Sequence, residues 1–333
     1  MKAVFLCNDK NNPGRIYSEE VRKELTVLTG LTDEVFSYED VKAFPTRFSD
    51  TEYIFSTWGM PVFTSDEIKE IFPSLRCVFY GAGTVQFFAR PFLENGIRVF
   101  SSWAANAVPV AEYTVAQIIL ANKGFFSTSR CQSTGELKKA AALKEKYPGS
   151  FGEYVGIIGA GMIGSLVIEM LKSYNLKVKV FDPFLSDEKA EALGVTKCSL
   201  EEIFSTCFVV SNHLADNKQT KGILRKEHFS SMRKYATFIN TGRGAQIIEK
   251  DLCDVLAARY DLTAILDVTH PEPPEEGHLF YSLQNCILTP HIAGSSGNEV
   301  RRMGEYQLLQ FKKLLKNETA EYEVTIEMLE TMA

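Results

Sequence analysis

The chain has 333 residues, 45% of them hydrophobic, and a formal net charge of −6. This length suits one large domain or two ordinary ones with buried cores. The negative charge excludes the positive potential that nucleic-acid or anionic-membrane binding requires, so we expect neither partner.

The seven cysteines are widely spaced and form no C-x-x-C motif. We interpret them as reduced thiols in a reducing compartment, with a catalytic cysteine as the minor alternative. The apolar stretch Ala3–Cys7 is shorter than the core of a signal peptide. No stretch approaches the ~18 apolar residues of a membrane span, so we expect a cytoplasmic protein.

Short apolar runs alternate with helical patterns at the start of the chain, which indicates an α/β domain. Strands are predicted at Val4–Leu6, Leu75–Tyr80 and Arg98–Phe100. Helices are predicted after the capping box of Thr64 and Glu67, at Phe87–Glu94 and at Val108–Ala121. The polar stretch Ser127–Ser150 is predicted to hold a short helix at Leu137–Lys144, followed by a loop.

Six strand-like segments then follow, separated by helices or loops, as in a doubly wound nucleotide-binding domain. They are Tyr154–Ile158, Lys177–Phe181, Cys207–Ser211, Ala236–Asn240, Thr263–Val268 and Cys286–Leu288. The amphipathic helix predicted at Gly297–Leu315 cannot bury its apolar face alone and should return to the first domain. We therefore predict a discontinuous domain of residues 1–104 and 294–333, interrupted by a cofactor domain of residues 105–293.

A glycine turn, Gly159-Ala160-Gly161-Met162-Ile163-Gly164, joins the first of these six strands to a helix predicted at Ser165–Ser173. Its glycines allow a tight turn and a close approach of the backbone to a pyrophosphate. Asp182 ends the next strand, where an acid accepts hydrogen bonds from the adenosine ribose and repels a 2′-phosphate. The pattern predicts NAD; the alternative is a structural turn with a solvent-facing Asp182.

Three candidate catalytic residues follow the fourth, fifth and sixth of these strands, which are neighbours in the usual 3-2-1-4-5-6 order. Arg243 would bind a 2-oxo acid and polarise its carbonyl, and His291 would protonate the developing alkoxide. Glu272 would orient the imidazole and favour its charged form. Each alone has an ordinary surface or turn role as its alternative, but together they indicate a site.

With these motifs the chain resembles the D-isomer-specific 2-hydroxyacid dehydrogenase family over essentially its full length. The matching segments are Val110–Glu112, Gly156–Gly164, Phe181–Pro183, Ile239–Gly244, Asp267–Pro273 and Thr289–Gly294. The resemblance implies two Rossmann-like domains, with a doubly wound parallel NAD-binding domain inserted into a flavodoxin-like substrate domain. It also implies a homodimer with the helix near Val108–Ala121 in its interface, and the catalytic roles given above.

The resemblance also implies contacts to ligands. Backbone amides at Ala82, Gly83 and Thr84 would hold the substrate carboxylate, together with Arg243 and His291. The implied cofactor residues are Gly159, Gly161, Met162, Ile163, Gly164, Asp182, Pro183, His213, Leu214, Thr241, Gly242, Arg243, Asp267, His291 and Gly294.

Two segments depart from the family pattern. Val85-Gln86 stands where an aspartate is common, and His213-Leu214-Ala215-Asp216-Asn217 lacks the proline of His-x-Pro-Leu-Thr. The second departure puts the cofactor contacts of His213 and Leu214 in doubt. Formate is disfavoured, because formate dehydrogenase relatives carry glutamine at the position of Glu272.

The predicted function is NAD-dependent reduction of a small 2-oxo acid to a D-2-hydroxy acid, or the reverse reaction. The alternative is an NAD(H)-sensing regulatory protein that resembles the corepressors sharing this fold. The loop Gly81–Thr84 contains no arginine to pair with a phosphate, which weighs against 3-phosphoglycerate.

Overall fold

The computed structural model describes residues 2–330. Its strands are β1 (Ala3–Leu6), β2 (Val35–Phe36), β3 (Tyr53–Ser56), β4 (Cys77–Tyr80), β5 (Arg98–Ser101), β6 (Tyr154–Ile158), β7 (Lys177–Phe181), β8 (Thr196–Lys197), β9 (Val209–Asn212), β10 (Thr237–Asn240), β11 (Thr263–Leu266), β12 (Cys286–Leu288) and β13 (Glu323–Val324).

The α-helices are α1 (Asn12–Ile16), α2 (Glu19–Thr29), α3 (Tyr38–Ala43), α4 (Ser65–Ile71), α5 (Ala89–Glu94), α6 (Trp103–Asn122), α7 (Phe125–Ser133), α8 (Leu137–Lys144), α9 (Met162–Leu171), α10 (Asp187–Leu193), α11 (Leu200–Thr206), α12 (Lys226–Ser231), α13 (Glu249–Ala258) and α14 (Val300–Leu315). Short 3-10 helices lie at Pro45–Phe48, Gly244–Gln246, Leu279–Tyr281, Gly297–Glu299 and Glu327–Glu330.

The chain divides into two compact units. Unit one contains the residues up to Asn106 together with those from Ser295 onward, and unit two is Ala107–Gly294. The assignment of a substrate role to unit one stays a prediction.

The sheet of unit one has the order β13-β5-β4-β3-β1-β2, with β13 antiparallel and the other strands parallel. Read without β13, this is the 2-1-3-4-5 order of a flavodoxin-like fold. Every residue of β1, β3 and β4 is buried, because helices cover both faces of a parallel sheet.

Helix α14 supplies part of the core of unit one. Phe311 lies with its ring 5.0 Å from that of Tyr53 and 5.4 Å from those of Phe55 and Phe79. A Cβ on Gly304 would overlap the carbonyl of Ile16, so only glycine permits this close approach. The apolar face predicted for this segment is buried here.

The sheet of unit two has the order β12-β11-β10-β9-β6-β7-β8, and all of its strands are parallel. This is the doubly wound order with one further strand at the β12 edge. The predicted α/β fold class is confirmed.

The predicted strand count of unit two was wrong by one. The short edge strand β8 has two exposed polar residues, so no apolar pattern marked it. β9 is therefore the fourth strand of this sheet rather than the third, and it lies between β6 and β10. The strands before Arg243, Glu272 and His291 remain neighbours.

Two helices also differ from the predictions. α7 lies partly in the polar stretch Ser127–Ser150, ahead of the helix predicted there, and it was not predicted because its residues are mostly polar and only Cys131 is buried. α9 begins at Met162, three residues earlier than predicted, because the glycine turn itself opens the helix.

The expectation that no segment could span a membrane needs a correction. By length and composition α6 is long and apolar enough to do so, although 56% of its most apolar window is buried inside the protein. Ala111, Val115, Ile118 and Ala121 belong to the core of unit two, and the core helices of soluble proteins pass the same test.

Candidate active site

The glycine turn between β6 and α9 has the geometry that a dinucleotide phosphate needs. Gly159 has a φ of +90°, which a side chain would strain. A Cβ on Gly164 would lie 1.9 Å from the carbonyl oxygen of Gly159, whereas one on Gly161 would meet nothing within 4 Å. The turn is thus tightly packed between Gly159 and Gly164 and leaves open space next to Gly161. The first N–H groups of α9 have no side-chain cap, so they can bind an anion.

Asp182 lies beside this turn at the end of β7. Its Oδ2 accepts a hydrogen bond from the Ala160 N–H at 2.7 Å, and its Oδ1 accepts one from the Phe184 N–H at 2.8 Å. The carboxylate is therefore held against the glycine turn, and its contact with the ribose stays a prediction. Sequence spacing predicted the acid, but its bond to the turn became visible only in the structure.

Arg243 follows β10 in a loop held by buried amide side chains. Its N–H donates to Gln246 Oε1 at 3.3 Å, and its carbonyl accepts from Asn240 Nδ2 at 3.2 Å. The guanidinium Nη1 donates to the Gly242 carbonyl at 2.8 Å. Sequence reasoning missed Gln246, because a glutamine in a turn has no periodic signal.

Asp267, at the end of β11, organises the loop that carries His291. It is 2% exposed, and its carboxylate accepts hydrogen bonds from Thr289 Oγ1 at 2.6 Å and from the N–H groups of Ile292 at 2.8 Å and Ala293 at 2.9 Å. His291 itself has a φ of +53°, and its N–H donates to the Asp267 carbonyl at 3.1 Å. Asp267 thus holds a left-handed histidine in place, a role that strand counting did not predict.

Glu272 and His291 form a hydrogen-bonded pair. Glu272 Oε1 lies 2.7 Å from His291 Nδ1, and the two side chains are 42% and 48% exposed. With Nδ1–H donating to the carboxylate, the ring presents Nε2 as its second nitrogen. Such an arrangement can orient an imidazole that exchanges a proton with a ligand.

His213 follows β9 and is buried. Its Nε2 lies 2.9 Å from Ser211 Oγ and its Nδ1 lies 3.3 Å from Thr241 Oγ1. Burial lowers the pKa of His213 from 6.5 to about 3, because no charged partner compensates the desolvated imidazolium.

This lowered pKa predicts a loss of stability in mild acid. Between pH 6.5 and pH 3 the unfolded chain binds a proton at His213 that the folded chain does not, so the stabilisation present above pH 6.5 falls as the pH drops. From pH 6.5 to 5 we expect a loss of roughly 2 kcal/mol from this group. Urea unfolding at both pH values should show a smaller loss for His213→Gln than for wild type or for His270→Gln, which alters an exposed ring. An equal loss in all three would contradict the prediction.

The predicted substrate loop of unit one lies between β4 and α5. Ala82 is buried, Gly83 is half-buried and Thr84 is exposed. The carbonyls of Ala82 and Gly83 accept hydrogen bonds from Ser101 Oγ at 3.0 and 2.6 Å. These bonds hold the loop backbone, and the substrate contacts of the three residues stay predictions.

Comparison with known proteins identifies the family of this chain. Residues 115–293 match the family model described as D-isomer specific 2-hydroxyacid dehydrogenase, NAD binding domain, which is more than half of the chain. The chain belongs to this family. The match covers the predicted cofactor residues from Gly159 to His291 and ends one residue before Gly294. Unit two is accordingly an NAD-binding domain, and the NAD prediction is confirmed.

The sequence identity to individual curated relatives is low. D-3-phosphoglycerate dehydrogenase of Methanocaldococcus jannaschii is 29% identical over 301 residues, 90% of this chain and 55% of that protein. D-3-phosphoglycerate dehydrogenase of Bacillus subtilis is 31% identical over 226 residues, 66% and 42% of the two chains. This chain thus spans about half the length of these curated relatives.

A solved structure shares the fold. The apo crystal structure of Rhodotorula graminis D-mandelate dehydrogenase aligns over 97% of each chain with a TM-score of 0.81 and 19% sequence identity. At that identity the likeness concerns the fold alone, so the substrate has to be argued from residues of this chain.

Proposed function

We propose that this protein is an NAD-dependent oxidoreductase that reduces a small 2-oxo acid to a D-2-hydroxy acid, or catalyses the reverse reaction. The observation that carries the proposal is the 2.7 Å hydrogen bond between Glu272 and His291 in a domain that matches an NAD-binding family. Arg243 follows β10, which lies beside β11, the strand before Glu272.

The residues present fit the cofactor. The open space above Gly161 and the uncapped N-terminus of α9 suit the pyrophosphate, and Asp182 suits the ribose hydroxyls. Bound NADH would supply the hydride, and NAD would accept it in the reverse direction.

The three candidate catalytic side chains would act on the substrate. The planar guanidinium of Arg243 would pair with the carboxylate and polarise the carbonyl, which lowers the cost of the developing negative charge. Nε2 of His291 would donate a proton to the alkoxide oxygen, or remove it in the oxidation direction. Glu272 would hold the imidazole in the tautomer that leaves Nε2 facing the substrate.

We further propose that the protein acts in the cytoplasm as a homodimer. The seven cysteines are free thiols, as a reducing compartment requires, and the family resemblance supports the dimer. Light scattering should give about twice the 37.3 kDa of one chain. A monomer mass at micromolar concentration would contradict the dimer.

A substrate panel tests the proposed reaction. We expect the purified protein to oxidise NADH in the presence of one or more of glyoxylate, hydroxypyruvate, pyruvate and branched 2-oxo acids, and to prefer NADH to NADPH. 3-Phosphohydroxypyruvate should be a poor substrate, because the loop Gly81–Thr84 contains no arginine. NADH binding without turnover on any member of the panel would contradict the proposal and favour a regulatory role.

Glu272→Gln is the matched variant for this assay. The amide keeps the size of the side chain but loses the charge that orients and stabilises the imidazolium, so kcat should fall by about 10- to 100-fold. The affinity for NADH should stay unchanged. If Glu272→Gln keeps the wild-type kcat, the hydrogen bond between Glu272 and His291 has no role in the mechanism.

A further inference from the structure

Gln246 has an unusually complete set of partners for a side chain in a turn. It is fully buried in the 3-10 helix Gly244–Gln246, between β10 and α13. Its Nε2 donates to the Leu214 carbonyl at 2.7 Å and to the Ala215 carbonyl at 3.0 Å. Its Oε1 accepts from Asn212 Nδ2 at 2.5 Å and from the Arg243 N–H at 3.3 Å.

These four bonds admit a single orientation of the amide. Two carbonyl oxygens require a donor, and an N–H with an amide Nδ2 requires an acceptor, so Nε2 and Oε1 cannot exchange places. A carboxylate of the same shape would set an acceptor against the carbonyls of Leu214 and Ala215. Glutamine is therefore chemically specific at this position.

The partners of Gln246 lie in two different loops of unit two. Its Nε2 holds the loop after β9, which contains His213, and its Oε1 holds the loop after β10, which contains Arg243. Asn212 joins the same network by donating to Asn240 Oδ1 at 2.9 Å. One buried amide thus sets the spacing between a predicted cofactor loop and the predicted substrate arginine.

The loop after β9 is also the segment where the sequence departs from the His-x-Pro-Leu-Thr pattern. Ala215 stands at the position of the proline, so the backbone there lacks the restriction that a proline ring imposes. In this chain the Gln246 amide binds the carbonyl of Ala215 itself and that of the preceding residue. These two hydrogen bonds restrain the backbone at the position where the family pattern has its proline.

We propose that Gln246 is a positioning residue that replaces the missing proline and holds the His213–Ala215 loop in register with Arg243. This inference rests on the proposed function for its catalytic readout. Its effect on cofactor binding can be measured without any substrate.

Gln246→Leu is the main test. Loss of the amide leaves the carbonyls of Leu214 and Ala215 without their donor, so the Kd for NADH, followed by nicotinamide fluorescence, should rise about tenfold. The shift of Arg243 should raise KM for the 2-oxo acid and lower kcat by about tenfold or more. Gln219→Leu, an exposed glutamine in the segment after β9, is the control and should leave all three constants unchanged.

Gln246→Glu is a second test in case Gln246→Leu does not fold, because a glutamate side chain has nearly the same shape as a glutamine side chain. It should show the same direction of change in NADH binding, since a carboxylate cannot donate to the two carbonyls. Constants within twofold of wild type in a folded Gln246 variant would overturn the proposal.

Ala215→Pro provides a readout that a general loss of stability would not give. Among residues 2–330 no acceptor is found for the Ala215 N–H, so the proline removes no observed hydrogen bond. Added to Gln246→Leu, it should restore NADH binding to within about threefold of wild type, because a proline fixes the loop. KM and kcat should stay impaired, because the Arg243 N–H still lacks its acceptor.

If NADH binding does not recover in the double variant, the inference that Gln246 replaces the missing proline is overturned. An inactive wild-type protein would instead contradict the proposed function, and the NADH constants would still decide the role of Gln246.

Discussion

Replacing His291 by asparagine is expected to lower kcat for 2-oxo acid reduction by about 10²- to 10⁴-fold, the range measured when a general acid is removed. Asparagine has no acidic N–H group at the position of the histidine Nε2, so it cannot protonate the alkoxide. The Kd for NADH should change far less than kcat, because the glycine turn and Asp182 lie on other loops and His291 is only one of the predicted cofactor residues. The expected result is therefore a loss mainly in kcat.

Asparagine is the informative substitution at this position. His291 has a φ of +53°, and asparagine tolerates that left-handed conformation better than alanine does. The backbone bond from His291 to the Asp267 carbonyl survives the change. Steady-state kinetics with the best substrate of the panel measure the effect, and His270→Asn, on an exposed side chain, is the control. A His291→Asn enzyme with more than half of the wild-type kcat would remove His291 as the acid.

Arg243→Lys should lower kcat/KM by about 100-fold or more, although the positive charge is kept. A lysine offers one point charge where the guanidinium offers two parallel N–H groups to a carboxylate. The loss should appear in KM as well as in kcat, because the same group would bind the substrate and polarise its carbonyl. Initial rates across a range of substrate concentrations separate the two constants.

Arg243→Lys tests the side chain alone, because the backbone of this loop is held by other residues. The N–H and carbonyl of residue 243 are held by Gln246 and Asn240 whichever side chain is present. Arg225→Lys, on an exposed residue before α12, is the matched control and should keep wild-type rates. If Arg243→Lys keeps a tenth or more of the wild-type kcat/KM, the substrate must be bound by another cation.

Local patterns were sufficient for much of unit two. The run from Tyr154 into the glycine turn predicted a strand, a tight turn and a helix, and the structure contains all three. Asp182 was found by its distance along the chain, and it lies at the turn. α8 was predicted with its observed bounds. These features depend on residues close in sequence, so a pattern can reveal them.

The sequence patterns did not reveal the short strand β8 at the edge of the sheet of unit two. β8 has only two exposed residues, and β7 alone provides its pairing, so its composition could not reveal it. This omission misplaced β9 in the strand order. The adjacency of the strands before Arg243, Glu272 and His291 survived, because each of those strands is marked by its own apolar run.

The sequence by itself determined the fold class, the glycine turn and which three side chains follow neighbouring strands. Only the tertiary structure decided how those side chains are held: the Asp267 carboxylate under the left-handed His291, and the Gln246 amide between two loops. Such bonds join residues that are distant in the chain and follow no period, and buried polar groups need specific partners. Their identity is therefore set by how the loops meet, which no local pattern encodes.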